Sequence, residues 1–271
     1  TGTAAIASGT YVYNGANGIL ERTIASSPFA LSYGAHAIGD IDNDGFGEIL
    51  MVSQNSSGRQ LLCYEHNGNL KWTSSTQVGF GVADETWTPL IADFEEDGLP
   101  EIYMGNQIFN GATGALIVSG TGSASRGANA GSPNEPFSVA ADVLPTGFCA
   151  DCAGLELVAG NTVYAINLLA GTMVAQNVPN AGMFDGMTSL ADMDRDGDVD
   201  AVVVGQNGLT RGAVYIWDIQ TGVVIASPFQ IDGAANASGI TSSGGLATIA
   251  DLDNNGFPEV LVGGRNVLVA L

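Results

Sequence analysis

An acidic segment of similar sequence occurs five times along the chain, and this repeat constrains the fold more than any other feature. Each copy has a short apolar run, then a cluster of acidic residues, then a second apolar run. Successive copies begin 53, 49, 50 and 59 residues apart, at Asp40, Asp93, Asp142, Asp192 and Asp251. The chain is therefore expected to consist of one structural unit used repeatedly.

The residues between the acidic segments have the character of short β-strands. Apolar and β-branched runs such as residues 200–204 follow each acidic segment, and Gly or Asn turns separate them from two further runs. No stretch has helical periodicity. Each repeat is therefore predicted to be a four-stranded antiparallel meander with the acidic loop between its first and second strands. A period near 50 residues favours the blades of an all-β, β-propeller fold over shorter helical repeats.

The repeats divide the whole chain into six blade-equivalents within a single domain, residues 1–271. The first and last lack a strand, and an incomplete terminal blade exposes strand edges. We therefore expect the chain to be a piece of a longer one, with seven blades in the full propeller. The approximate repeat boundaries are 1–30, 31–80, 81–125, 126–180, 181–235 and 236–271.

The five acidic loops hold 20 of the 28 acidic residues of the chain. Their acids recur at loop positions 1, 3, 5 and 9 with Gly at position 6, whereas a merely solvated charge run has no fixed spacing. Oxygen ligands at alternate positions around a sharp glycine turn suit Ca²⁺, which takes six to eight oxygens. Mg²⁺ is less suitable because it prefers a tight octahedron.

The loops differ in how complete their ligand sets are. The third is lengthened and lacks acids at positions 3 and 5, so Asp142, Asp151 and Glu156 form only a doubtful set. The other four predict about four bound Ca²⁺ ions. Their predicted ligands are Asp40, Asp42, Asp44 and Glu48; Asp93, Glu95, Asp97 and Glu101; Asp192, Asp194, Asp196 and Asp200; and Asp251, Asp253, Asn255 and Glu259.

Charge and hydropathy exclude several classes of partner. The formal net charge is −21, with only seven basic residues, so neither nucleic acid nor an anionic membrane surface is an expected partner. No apolar run approaches the roughly 18 residues of a membrane span, so direct membrane insertion is not expected.

Cys149 and Cys152 are predicted to form a local disulfide, with free thiols or a metal site as alternatives. Cys63 is expected to be buried in an apolar run.

In these loops and strands the sequence resembles the FG-GAP/VCBS repeat family from about residue 4 to residue 271. That family includes the calcium-binding propeller of integrin α-subunits and many secreted bacterial surface proteins. The resemblance implies a β-propeller, commonly of seven blades, with calcium on the loop positions named above. The literal Phe-Gly and Gly-Ala-Pro signature is not visible, and the third loop departs from the metal pattern.

Three functions remain open from the sequence. The first is a secreted, non-enzymatic adhesion or ligand-binding module at the cell surface, with a protein or glycan ligand. The second is a structural subunit of a surface filament or large adhesin, capable of self-assembly. The third is a polysaccharide lyase. This function is less suitable because a lyase needs a base and cationic side chains to neutralise an acidic sugar, and the chain has a single lysine and six arginines. No catalytic residue is predicted.

Overall fold

The computed structural model describes residues 9–25, 30–31, 35–55, 58–76, 78, 88–120, 125–128, 136–179, 183–206, 212–231, 245–264 and 267–270. Every regular element in these ranges is a β-strand. The all-β prediction is confirmed for them. They contain no helix long and apolar enough to cross a membrane.

The described strands form six antiparallel sheets in chain order. A two-stranded ribbon comes first, and a sheet with a divided first strand follows it. Three four-stranded sheets and one three-stranded sheet complete the order. The strands are β1 (Gly9–Tyr13) and β2 (Leu20–Ala25); β3 (Ala30–Leu31), β4 (Ala37–Gly39), β5 (Glu48–Asn55), β6 (Gly58–Tyr64) and β7 (Leu70–Thr73); β8 (Leu90–Ala92), β9 (Glu101–Met104), β10 (Gln107–Phe109) and β11 (Leu116–Ser119); β12 (Val139–Ala141), β13 (Glu156–Ala159), β14 (Thr162–Asn167) and β15 (Thr172–Asn177); β16 (Gly186–Ala191), β17 (Asp200–Gln206), β18 (Gly212–Asp218) and β19 (Val224–Gln230); β20 (Thr248–Ala250), β21 (Glu259–Gly264) and β22 (Val267–Ala270).

The meander predicted for each repeat is confirmed in the sheets β8–β11, β12–β15 and β16–β19. The preceding sheet differs in one respect, because β3 and β4 both pair with the long strand β5. Ala37 lies opposite Leu50 near one end of β5, and Ala30 lies opposite Gln54 near the other. The predicted strands near residues 10–13 and 18–23 correspond to β1 and β2, whereas the predicted strand at 4–8 lies outside the described residues.

The sheets stack face to face, and the second strand of each repeat supplies both faces. Alternate residues of a strand point to opposite sides of its sheet. In β17, Val203 packs with residues of the β12–β15 sheet, while Val202 and Val204 pack with residues of the β20–β22 sheet. The second strands β5, β9, β13 and β17 are apolar at nearly every position because each of them packs against sheets on both sides.

The first strands of several consecutive sheets also contact each other, namely β4 with β8, β12 with β16, and β16 with β20. The acidic loops leave from the ends of these strands. Successive loops are thereby brought to the same side of the stack. Closure of the stack into a ring and the number of blades remain predictions.

The substitution Trp217→Ala is expected to cost about 3–5 kcal/mol of unfolding free energy, in the range for large buried aromatic side chains. Trp217 has 0% exposed surface between the third and fourth acidic repeats. Its Nε1 also donates a hydrogen bond to the carbonyl oxygen of Gly160 at 3.2 Å. Urea denaturation in saturating Ca²⁺ measures the change.

Leu169→Ala is the matched control, because the Leu169 side chain is 96% exposed in the β14–β15 turn. Its unfolding free energy should stay within about 0.5 kcal/mol of the parent. A Trp217→Ala effect as small as that of the control would contradict the packing between sheets.

Candidate metal centre

Four acidic loops share one backbone conformation, which positions their carboxylates in the same way. Position 4 is a non-glycine residue with φ between 55° and 66° in each: Asn43, Glu96, Arg195 and Asn254. Position 6 is a glycine with φ between 86° and 99°, a region that side chains disfavour. Two left-handed residues so close together curl the loop back toward its first aspartate.

The aspartate at position 1 holds this curl by accepting backbone hydrogen bonds. In the first loop, Asp40 accepts from the N–H groups of Asp44 at 3.1 Å and Gly45 at 2.9 Å. The second loop repeats the arrangement at Asp93, and the fifth repeats it at Asp251. In the fourth, Asp192 accepts from Gly197 at 3.2 Å. Position 1 is thus both a structural acceptor and a candidate ligand.

The carboxylate at position 9 joins each loop to its sheet. One of its oxygens accepts from the N–H at position 2, and the third loop keeps this contact although it is lengthened. The distances are 3.0 Å from Ile41 to Glu48, 3.2 Å from Phe94 to Glu101, 3.0 Å from Val143 to Glu156, 2.8 Å from Met193 to Asp200 and 2.6 Å from Leu252 to Glu259.

These carboxylates are buried in four of the loops, and burial changes their acidity. Glu48 and Glu156 have 0% exposed surface, and burial raises the pKa of both. Burial also raises the pKa of Glu101 to about 7 and that of Asp200 to about 6. The ionised form is therefore costly in the metal-free loop, and a cation would relieve that cost.

In three loops the carboxylates at positions 1, 3 and 9 come together. One oxygen from each member lies within 4.8 Å of the others. The three groups are Asp40, Asp42 and Glu48; Asp192, Asp194 and Asp200; and Asp251, Asp253 and Glu259.

Buried oxygens in these groups fit a cation. Asp42 Oδ1, Glu48 Oε1 and Asp192 Oδ1 are buried and have no hydrogen-bond partner. An unpartnered buried carboxylate oxygen is expensive, and a hard cation such as Ca²⁺ is bound by oxygens of this kind. Position 5 is different: Asp44, Asp196 and Asn255 each accept a hydrogen bond from the N–H at position 7 and belong to none of these groups.

The second and third loops do not gather their carboxylates so closely. Among the residues that the structure describes, no group within 4.8 Å includes Asp93, Glu95, Asp97 or Glu101, and Glu95 at position 3 is exposed. In the third loop, Asp151 accepts a hydrogen bond from Asn167 at 2.8 Å and does not join Asp142 and Glu156 in such a group.

The third loop still keeps part of the shared design. Gly147 occupies position 6 with φ 93°, and one oxygen of Glu156 remains buried without a partner. The insertion follows this turn, and Cys149 and Cys152 within it form the predicted disulfide. Cys63 is free and buried, as expected. Sequence alignment on the acids alone missed Gly147, although its spacing from Asp142 could have identified it.

Neighbouring acidic loops also contact each other. Asn43 Nδ2 in the first loop donates a hydrogen bond to the carbonyl oxygen of Gly98 in the second at 2.5 Å. The N–H of Leu155 in the third loop donates to the carbonyl oxygen of Phe94 in the second at 3.1 Å. Arg195 lies 5.0 Å above the ring of Phe257, which links the fourth loop to the fifth. These contacts join the first loop to the second, the second to the third, and the fourth to the fifth.

Comparison with known proteins agrees with this design. Residues 40–104 match the family model described as the FG-GAP-like repeat. The resemblance to the FG-GAP repeat family is thereby confirmed over these residues. A segment of 86 residues is 38% identical to integrin alpha-5 of Xenopus laevis, covering 30% of this chain and 8% of that protein.

Solved structures are more distant. The V. cholerae biofilm matrix protein Bap1 superposes with a TM-score of 0.49 and 19% identity, covering 80% of this chain and 30% of that one. Rhamnogalacturonan lyase PL11 of Bacillus licheniformis has a TM-score of 0.36 and 16% identity, covering 93% of this chain and 42% of that one. The chain thus spans less than half the length of each of these proteins.

The raised pKa values of Glu101 and Asp200 predict that the metal-free protein loses stability as pH rises. A native pKa above the unfolded value means that the folded state holds the proton more tightly. The contribution to stability is therefore complete below the ordinary carboxyl pKa and is lost as pH rises through about 6 to 7. Thermal unfolding in chelator should occur at a higher temperature at pH 5 than at pH 8.

Glu101→Gln should reduce this pH dependence, because the amide does not ionise. Saturating Ca²⁺ should also reduce it, since the ion stabilises the charged carboxylates. A chelated parent protein whose melting temperature rises between pH 5 and pH 8, or a Glu101→Gln variant with an unchanged profile, would refute the assignment.

Proposed function

We propose that the chain forms a calcium-stabilised β-propeller module that mediates adhesion or ligand binding outside the cell and is not an enzyme. The observation that carries this proposal is the convergence of carboxylates in three loops, with buried oxygens that lack a partner. The single domain of residues 1–271 and its repeat boundaries are parts of the same proposal.

Ca²⁺ is the proposed ion because the donor set consists of oxygens. The ligands we propose are those predicted from the sequence at positions 1, 3, 5 and 9 of the first, second, fourth and fifth loops. The first, fourth and fifth have the direct support of the converging groups. Bound ions would cancel repulsion among the loop carboxylates, and millimolar extracellular calcium fills even weak sites.

An extracellular adhesion or binding role is supported by three observations. The chain carries an FG-GAP-like repeat, and part of it is similar to an integrin. The Cys149–Cys152 disulfide agrees with an oxidising compartment. We propose that the loops at the other ends of the strands, opposite the acidic loops, bind a protein or glycan ligand at the cell surface.

Calcium binding is tested with Asp194→Asn, which removes one charge from the converging group of the fourth loop. Replacing a charged ligand should weaken this site and leave the others, so calorimetric titration should detect about one fewer bound ion at limiting Ca²⁺. Elemental analysis of the dialysed parent protein gives the total number of bound ions. Melting in Ca²⁺ and in chelator should differ clearly for the parent protein.

Asp198→Asn is the matched control. Asp198 lies in the same loop at position 7, carries the same charge and is outside the converging group. It should retain the full number of ions. Equal calcium binding by the two variants, or no metal in the parent protein, would contradict the assignment of these ligands.

The binding role is tested on an array of glycans and extracellular proteins in Ca²⁺ and in chelator. Specific binding that is lost in chelator supports the adhesion module. A protein that binds calcium normally but captures nothing on the array would refute the ligand-binding role and leave the metal assignment intact.

A further inference from the structure

A second cluster of metal-ligating groups lies beside the first acidic loop. It consists of Asp44 in the β4–β5 loop and Glu65 and His66 in the turn after β6. One ligand atom of each lies within 4.8 Å of the other two. Residues separated by about twenty positions are therefore brought together by the pairing of β5 with β6.

His66 is held through both its ring and its backbone. Its ring stacks on Phe46, with centroids 4.2 Å apart and planes inclined by 21°. Arg22 Nη1 donates a hydrogen bond to the backbone carbonyl oxygen of His66. The stacking on Phe46 orients the imidazole ring and the Arg22 hydrogen bond holds the His66 backbone before any ligand arrives, which lowers the entropic cost of binding.

The turn itself does not require Glu65 or His66. At the same point of three other repeats a short polar side chain, on Asn110, Asn167 or Asp218, accepts a backbone hydrogen bond that closes the turn. In the first acidic repeat that acceptor is Asn67, which bonds the N–H of Asn69 at 2.9 Å. The side chain of Glu65 therefore does not have to close the turn by accepting a backbone hydrogen bond, as Asn110, Asn167 and Asp218 do.

Lys71 pairs with one oxygen of Glu65 without neutralising the region. Its Nζ lies 2.8 Å from Glu65 Oε1 and 2.5 Å from Asp42 Oδ2. Five carboxylates lie in this loop or beside it, so an excess of negative charge remains to attract a divalent ion. They are Asp40, Asp42, Asp44, Glu48 and Glu65.

We infer that Asp44, Glu65 and His66 bind Zn²⁺ at a site that shares Asp44 with the proposed calcium ligands of the same loop and is otherwise distinct from them. An imidazole nitrogen with two carboxylate oxygens suits zinc and similar ions, whereas Ca²⁺ takes oxygen ligands. Three protein ligands leave a coordination position open to water or to a carboxylate or imidazole of a bound partner. The site does not depend on the proposed function, although Asp44 is also a predicted calcium ligand.

Zinc titration of a tag-free chain, in saturating Ca²⁺, tests the site. The parent protein should bind one Zn²⁺ that His66→Ala weakens by about tenfold or more, since even indirect supports of metal sites cost 10–100-fold. Glu65→Gln should weaken it as well while leaving His66 and its stacking in place. His36→Ala, which removes the other histidine of the chain, should bind like the parent.

Spectroscopy gives a second readout. Co²⁺ should selectively broaden the imidazole proton signals of His66 in NMR spectra and leave those of His36 unchanged. Absence of zinc binding, equal affinity in His66→Ala and the parent, or equal broadening of both histidines would each overturn the inference. Unchanged calcium binding in His66→Ala separates this result from the calcium proposal.

Discussion

The hydrogen bond between the position-9 carboxylate and the N–H at position 2 is the interaction on which the rest of the structure depends. It occurs in all five acidic loops, including the lengthened third one. Because position 9 begins the second strand, the contact fixes where the loop ends and the sheet starts. In Glu48 and Glu156 it also leaves the other oxygen buried without a partner. The same bond thus orders the loop and leaves the second carboxylate oxygen buried, where only a cation or another donor could satisfy it.

Because the sheets stack on each other, an unsatisfied carboxylate in one loop affects more than that loop. A second strand such as β17 lies between two neighbouring sheets, so no sheet buries its apolar surface alone. A loop whose carboxylates repel each other strains the point where that strand begins. Contacts such as that of Asn43 with the carbonyl of Gly98 extend the effect to the next loop. Cation binding and sheet packing should therefore be coupled along the stack.

Much of this arrangement could be predicted from the sequence, because the second strands are long apolar runs bounded by acids and turns. The divided first strand of the β3–β7 sheet was not predicted, since two residues such as those of β3 have no recognisable periodicity. In the candidate site, the spacing of the acids predicted the groups around Asp40, Asp192 and Asp251. Spacing alone did not indicate that Asp93 belongs to no close group among the described residues, because convergence of the carboxylates depends on the direction of each side chain. The approach of His66 to Asp44 was likewise hidden, since it arises from strand pairing.

The acidic loops of the repeats also differ from each other in their acids and in the contacts that hold them. The first and fourth loops each have an acid at positions 1, 3, 5 and 9, and in the first loop Lys71 forms an ion pair with Asp42. The third has exchanged two acidic positions for Leu144 and Thr146 and has a disulfide in its insertion. A covalent link constrains its loop at any calcium concentration, whereas the ions proposed for the other loops would order those loops only when bound. If the proposed ions bind, the stack combines one loop that is held covalently with neighbours whose stability would follow the surrounding calcium concentration.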